Sequence, residues 1–285
     1  MNTVYACIDG LANTDAVIDW SAWAARRLAA PLEFLHVLER HPERAETRDL
    51  SGAIGLGAQE SLLRELSDQD ERRSKLAREA GRRLLAAARE RAAAAGAVEL
   101  DARLRHGEFV DTVLEMQPQA RLFVLGEHHR ADAPSRVHLD RHVEKVIRSV
   151  ARPVLVATTE GFDAPRRAVF AFDGSPAARR SVEQAARDPL LHGLPLLVVR
   201  VGEDSTLARR QLEEARLALQ GAGLVVETEL APGAPETVLP ALVRAQAPAL
   251  LVIGAYRHSR LRQLLLGSTT STLLRVSDVP VLVLR

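Results

Sequence analysis

Four short words of sequence recur in the same order in the two halves of the chain, and this duplication restricts its fold more than any other feature. Thr3-Val4-Tyr5-Ala6-Cys7-Ile8-Asp9-Gly10 is answered by Ala168-Val169-Phe170-Ala171-Phe172-Asp173-Gly174-Ser175, each an apolar run ending in Asp-Gly. Gly107 followed by Asp111-Thr112-Val113-Leu114 is answered by Gly233 followed by Glu236-Thr237-Val238-Leu239. Leu122-Phe123-Val124-Leu125-Gly126 is answered by Leu250-Leu251-Val252-Ile253-Gly254, and Arg152-Pro153-Val154-Leu155-Val156 by Val279-Pro280-Val281-Leu282-Val283. Asp9 and Asp173 lie 164 residues apart, whereas Gly126 and Gly254 lie 128 apart, so the first copy carries 36 extra residues between its first and fourth strands. Most of them fall in 39–57, with the Gly-rich piece 51–57, and in the helical run 58–95.

Within each copy, strand and helix alternate. Strands are expected near 3–9, 31–38, 98–105, 121–126 and 153–157, then near 167–172, 194–201, 224–230, 249–254 and 279–284. Helices are expected near 13–29, 58–95, 108–117 and 140–149, then near 176–187, 204–221, 235–246 and 268–277. The strands are unbroken Val/Leu/Ile runs, as required when helices cover both faces of a sheet. Strand–helix alternation with right-handed crossovers gives a doubly wound parallel sheet. The expectation is two tandem α/β domains with five-stranded parallel sheets of order 3-2-1-4-5, over 1–158 and 166–285, joined by a linker that carries Gly161 and Pro165.

Composition narrows the function. The net charge of +1 supplies no domain-wide positive field, so nucleic acid is not an expected partner. No apolar stretch approaches the ~20 residues of a membrane helix, and the amino terminus enters a strand without a basic, apolar leader. Cys7 is the only cysteine and reads as a small buried hydrophobe. A cytoplasmic location without membrane attachment is therefore expected.

In an open doubly wound sheet, a ligand binds beyond the carboxyl ends of the strands, where the strand order reverses. That point lies between the first and fourth strands, at Asp173 and Gly254 in the second copy and at Asp9 and Gly126 in the first. A carboxylate there can accept hydrogen bonds from ribose hydroxyls or a base amine, and the glycine is expected to let a ligand approach the backbone. Gly267-Ser268 opens the last helix, whose free N–H groups suit an anion. For Asp173 an ordinary Asp-Gly turn, and for Ser268 an ordinary helix cap, account for the same residues.

The stretch from Gly254 to Thr269 resembles the signature of the universal stress protein family, G-x-x-G-x9-G-[ST]. Gly254, Gly267 and Ser268 match with the right count, and Arg257 stands in place of the second glycine. Asp173-Gly174-Ser175, His258-Ser259-Arg260-Leu261-Arg262 and Val279-Pro280-Val281-Leu282-Val283 are similar to that family as well. The resemblance implies a Rossmann-like fold of the adenine nucleotide alpha hydrolase-like type and a stress-response role. It also implies binding of an adenine nucleotide, ATP with Mg, by the second copy. It would place the nucleoside on Ala171, Phe172 and Asp173 and the adenine on the backbone at Val201. The phosphates would lie on Gly254, Gly267, Ser268 and Thr269, with Arg257 either blocking or pairing with them, and Ile253 is a further expected cofactor-binding residue.

The first copy departs further, with His129 for the second glycine and Asp140-Arg141 where Gly-Ser is due. An aspartate at that helix start repels phosphate, so no triphosphate is expected there. His128, His129, His138 and His142, with Asp132 and Asp140, form the one cluster that could suggest a metal, His138 and His142 being at helical i,i+4 spacing. Trp20 and Trp23 read as packing, and 58–95 as a solvated helix with i,i+4 ion pairs. An adenylating or hydrolysing enzyme on the same fold is an alternative, but no Ser-Gly-Gly-x-Asp-Ser loop, Ser/His/Asp set or general base emerges. A regulatory or interaction protein with vestigial pockets is another. The last strands of the copies, 153–157 and 279–284, are expected to pair edge to edge as an internal pseudo-dimer; association into a homodimer stays open.

Overall fold

The computed structural model describes residues 2–39, 56–127, 139–254 and 268–285, with 56–66 and 268 described by backbone alone. The first half runs β1 (Thr3–Cys7), α1 (Thr14–Leu28), β2 (Leu32–Leu38), α2 (Leu56–Ala94), β3 (Leu100–His106), α3 (Phe109–Met116), β4 (Ala120–Gly126), α4 (Arg141–Ser149) and β5 (Val154–Ala157). The second runs β6 (Arg167–Ala171), α5 (Pro176–Ala185), β7 (Leu196–Val201), α6 (Thr206–Gly221), β8 (Val226–Ala231), α7 (Pro235–Ala245), β9 (Ala249–Gly254), α8 (Ser268–Val276) and β10 (Val281–Leu284). Every expected element is present with its ends close to those read from the sequence.

Among the described residues, all strands join one ten-stranded sheet in the order β3-β2-β1-β4-β5-β10-β9-β6-β7-β8. Each half therefore has the order 3-2-1-4-5. Pairing is parallel within each half and antiparallel at the single seam, where Val281, Leu282 and Val283 face Val156, Leu155 and Val154. The two sheets thus cover one another's last edge, leaving β3 and β8 as the outer strands.

The period of two along each strand divides the core into two layers. Leu155 and Leu282 point toward α1, α2, α5 and α6, in a layer with Trp20, Leu85, Val182 and Leu212. Val154, Val156, Val281 and Val283 point toward α3, α4, α7 and α8, with Val113, Ile147, Leu239 and Leu273. Each fully buried aliphatic side chain of this kind stabilises the fold by roughly 1.5–3 kcal/mol.

Trp20 and Trp23 are buried, as packing requires. Their rings meet edge to face at 5.3 Å, and Phe162 of the connecting stretch lies on Trp20 at 4.8 Å. Helix α2 differs from the expected solvated helix in its carboxyl-terminal half. There Gly81, Leu85, Ala88 and Ala92 recur at helical spacing and are buried. Among the described residues its ion pairs run across to α1, from Arg91 to Asp15 at 2.9 Å and Asp19 at 2.7 Å, and not along its own axis. The small apolar stripe draws this half onto the sheet, while 67–78 stay exposed. Among the described residues no helix is long and apolar enough to cross a membrane.

Candidate functional site

Strand β6 has β7 on one side and β9 on the other, so the crossovers diverge above the β6–β9 boundary. A cavity of about 240 Å³ opens there. Of the residues named from the sequence, Ala171, Phe172, Asp173, Val201, Ile253, Gly254 and Thr269 line it. Ser268 begins α8, which contributes Thr269 to the wall. Arg257 and Gly267 lie outside the described residues.

The walls also contain residues that the sequence did not single out. Ala177 and Ala178 come from the first turn of α5, Pro235 and Leu239 from α7, and Thr270 and Leu273 from α8. The lining is thus mainly aliphatic, with polar side chains at two places: Asp173 at the mouth, and Thr269 and Thr270 in the first turn of α8. Apolar walls with a few fixed polar groups suit a planar group of low polarity that carries hydrogen-bonding substituents.

Local chemistry explains both strand ends. Asp173 Oδ1 accepts the N–H of Ser175 at 2.9 Å, and Gly174 has φ +78°, the left-handed conformation that favours glycine. Asp173 therefore makes the Asp-Gly turn and lines the cavity at once. Gly254 lines the cavity, and packing gives a further reason for glycine there. A Cβ on it would lie 2.2 Å from Ser181 Oγ and 3.0 Å from Ser181 Cβ, so glycine is needed for α5 to sit against β9.

Glu236 was not anticipated either. Thr269 Oγ1 donates to Glu236 Oε1 at 3.0 Å, tying the first turn of α8 to the first turn of α7. A half-buried carboxylate therefore stands beside the helix start that the sequence marked for an anion.

The first half has the same strands, and at the corresponding strand ends its own polar groups bond to one another. Asn13 Nδ2 donates to the carbonyls of Glu127 and Ala157. Glu127 is buried, and its Oε1 accepts the N–H of Asp140 at 3.0 Å. Asp140 caps α4, its Oδ1 accepting the N–H groups of His142 at 2.7 Å and Val143 at 3.2 Å. The helix donors an anion would need are thereby engaged by a protein carboxylate. Cys7, the counterpart of Ala171, is buried, and that burial, with Asp9 nearby, pushes its thiol pKa far up. It is a packing residue with negligible thiolate character.

His142 lies 3.5 Å from Glu39 Oε2 and packs its ring against Phe109 at 5.1 Å. Among the described residues no group of three or more His, Cys, Asp or Glu side chains is gathered for a metal. His128, His129, His138 and Asp132 lie outside the described residues.

The comparison with known proteins bears on this paired architecture. The universal stress protein family matches residues 1–158 and 202–285. The chain belongs to that family. Universal stress protein Slr1230 of Synechocystis sp. is 32% identical over 288 residues, covering 100% of both chains. A universal stress protein from Archaeoglobus fulgidus is similar over 99% of this chain and 98% of its own, with a TM-score of 0.71 at 18% identity, which shows the shared two-half fold. Another Archaeoglobus fulgidus universal stress protein, solved in complex with dAMP, is 22% identical, covering 42% of this chain and 97% of its own with a TM-score of 0.34. The tandem universal stress protein fold thus accounts for the chain from end to end, and its halves differ at the switch point.

Proposed function

We propose that this universal stress protein is a cytoplasmic nucleotide-binding module of the stress response. Its second half, from 166 to 285, takes an adenine nucleotide, and its first half, from 1 to 158, is a non-binding structural partner. The observation that carries the proposal is the cavity between β6 and β9, with Asp173 at its mouth and the first turn of α8 on its wall. Its aliphatic sides suit the faces of a purine, and the Asp173 carboxylate suits ribose hydroxyls or the base amine. Val201 at the end of β7 and Ile253-Gly254 at the end of β9 bound the space on either side.

The chain of bonds from Asn13 through Glu127 to Asp140 supports a first half that does not take the same ligand. ATP with Mg is the nucleotide that the family resemblance implies, with Gly267, Ser268, Thr269 and Arg257 toward its phosphates. Base recognition and phosphate recognition are separate properties of the site: the cavity walls govern the first, the surroundings of α8 the second.

The test is to purify the chain under mild conditions, denature it, and identify the released small molecules by mass spectrometry. An adenine nucleotide near one equivalent per chain is expected. A chain that releases none, and that binds none when adenosine, AMP and ATP are added, contradicts the proposal.

A further inference from the structure

We infer that Glu236 sets the charge of the ligand, so that the second half prefers a nucleoside or nucleoside monophosphate over a triphosphate. The inference rests on the adenine-nucleotide reading and refines it. Adenine and ribose suit the aliphatic interior, and an attached phosphate chain leaves toward the polar part of the wall, Thr269 and Thr270 at the first turn of α8. That is where Glu236 stands, its Oε1 3.0 Å from Thr269 Oγ1.

Two consequences follow from that bond. The Thr269 hydroxyl spends its proton on the carboxylate, so it meets a phosphate oxygen as an acceptor facing an acceptor. The carboxylate also offsets the partial positive charge of the helix start, which is the main attraction a Rossmann-like site offers to phosphate. A phosphate placed at that helix start therefore meets the Glu236 carboxylate bonded to the same hydroxyl. Such a repulsion weakens binding by on the order of tenfold. The first half shows the same tactic in a stronger form, since Asp140 engages the N–H groups of its own helix.

Calorimetric titration of the full chain with adenosine, AMP and ATP tests this, using wild type, Glu236→Gln and Glu214→Gln. Glutamine keeps an oxygen for the Thr269 hydroxyl and removes only the charge, so folding is preserved. Glu214, on the exposed face of α6, controls for a change in net charge. The expected result is tighter binding of AMP than of ATP by wild type. ATP affinity should gain about tenfold in Glu236→Gln, adenosine affinity should stay within about twofold, and Glu214→Gln should change neither. ATP affinity that is unchanged or lost in Glu236→Gln, with adenosine binding intact, overturns the inference; a loss would mean that the carboxylate helps to hold the phosphates through a cation. If wild type binds none of the three ligands, the nucleotide reading falls, and this inference with it.

Discussion

Single atoms decide several features of the two sites. Gly254 admits no side chain because Ser181 occupies the space, so Gly254→Ala is expected to destabilise the fold by about 1–3 kcal/mol. Adding Ser181→Ala, which removes the nearer atom, should recover part of that loss in urea denaturation. Asp140→Ala removes a cap that accepts two backbone N–H groups and should cost about 1 kcal/mol, with Asp140→Ser recovering most of it. Asp188 carries the opposite sign. It is buried beside the turn it helps to form, accepting the N–H of Leu190 at 3.0 Å. Burial pushes its carboxyl pKa above the ordinary value, while the Leu190 N–H, Arg121 and His192 oppose the shift. A carboxyl raised in this way favours the folded state only at pH below its unfolded pKa. That contribution is lost as pH rises through the folded pKa, and at neutral pH the ionised group is a net cost. Asp188→Asn, which keeps the acceptor for Leu190, should therefore raise the melting temperature at pH 7 by a few degrees, with the gain shrinking as the pH falls below the carboxyl range. A gain that is equal at all pH values would contradict the burial argument.

Strands and helices were readable from the sequence because their signals are periodic and local. The unbroken apolar runs gave ten strands, and the repeat of the Asp-Gly and Pro-Val-Leu-Val words placed β1 with β6 and β5 with β10. Their order followed from topology, and the edge-to-edge meeting of β5 with β10 followed from the need to cover two edges, while its antiparallel sense is seen only in the structure. What was not readable lies in contacts between elements. The Thr269–Glu236 bond joins residues 33 apart on two helix starts, and no spacing along the chain announces it. Pro235 and Leu239 have the i,i+4 spacing of an ordinary core face, so their place in a cavity wall is hidden within a packing signal. Gly254 was singled out for ligand approach, and its crowding by α5 was invisible in the sequence. Helix α2 was misjudged because its charged residues outnumber the small stripe that docks it. Leu85→Ala on that stripe should cost about 2–5 kcal/mol, as a cavity in a packed layer does, whereas Arg91→Ala, which breaks an exposed ion pair, should cost less than about 1 kcal/mol. Thermal denaturation of the two variants side by side tests which force holds α2.

At the scale of the whole molecule, the duplication permits the halves to divide their work. Contacts between them are extensive: Thr158 Oγ1 donates to the carbonyl of Val279, Arg285 to the carbonyls of Val150 and Arg148, and Arg27 to those of Leu190 and His192. The outer strands β3 and β8 carry Asp101, Arg103 and Arg105 on one edge and Glu227 and Glu229 on the other, charges that discourage further pairing of sheets. Asn13, Glu127 and Asp140 are bonded to one another at the strand ends of the first half, while the second half has a cavity at the β6–β9 boundary, so one ligand per chain is expected. Titration of the full chain with AMP by calorimetry tests it, comparing wild type with Ala177→Trp, which fills the cavity of the second half. One AMP per chain is expected for wild type and no binding by a folded Ala177→Trp protein; two AMP per chain, or undiminished binding by that variant, would overturn the single-site reading.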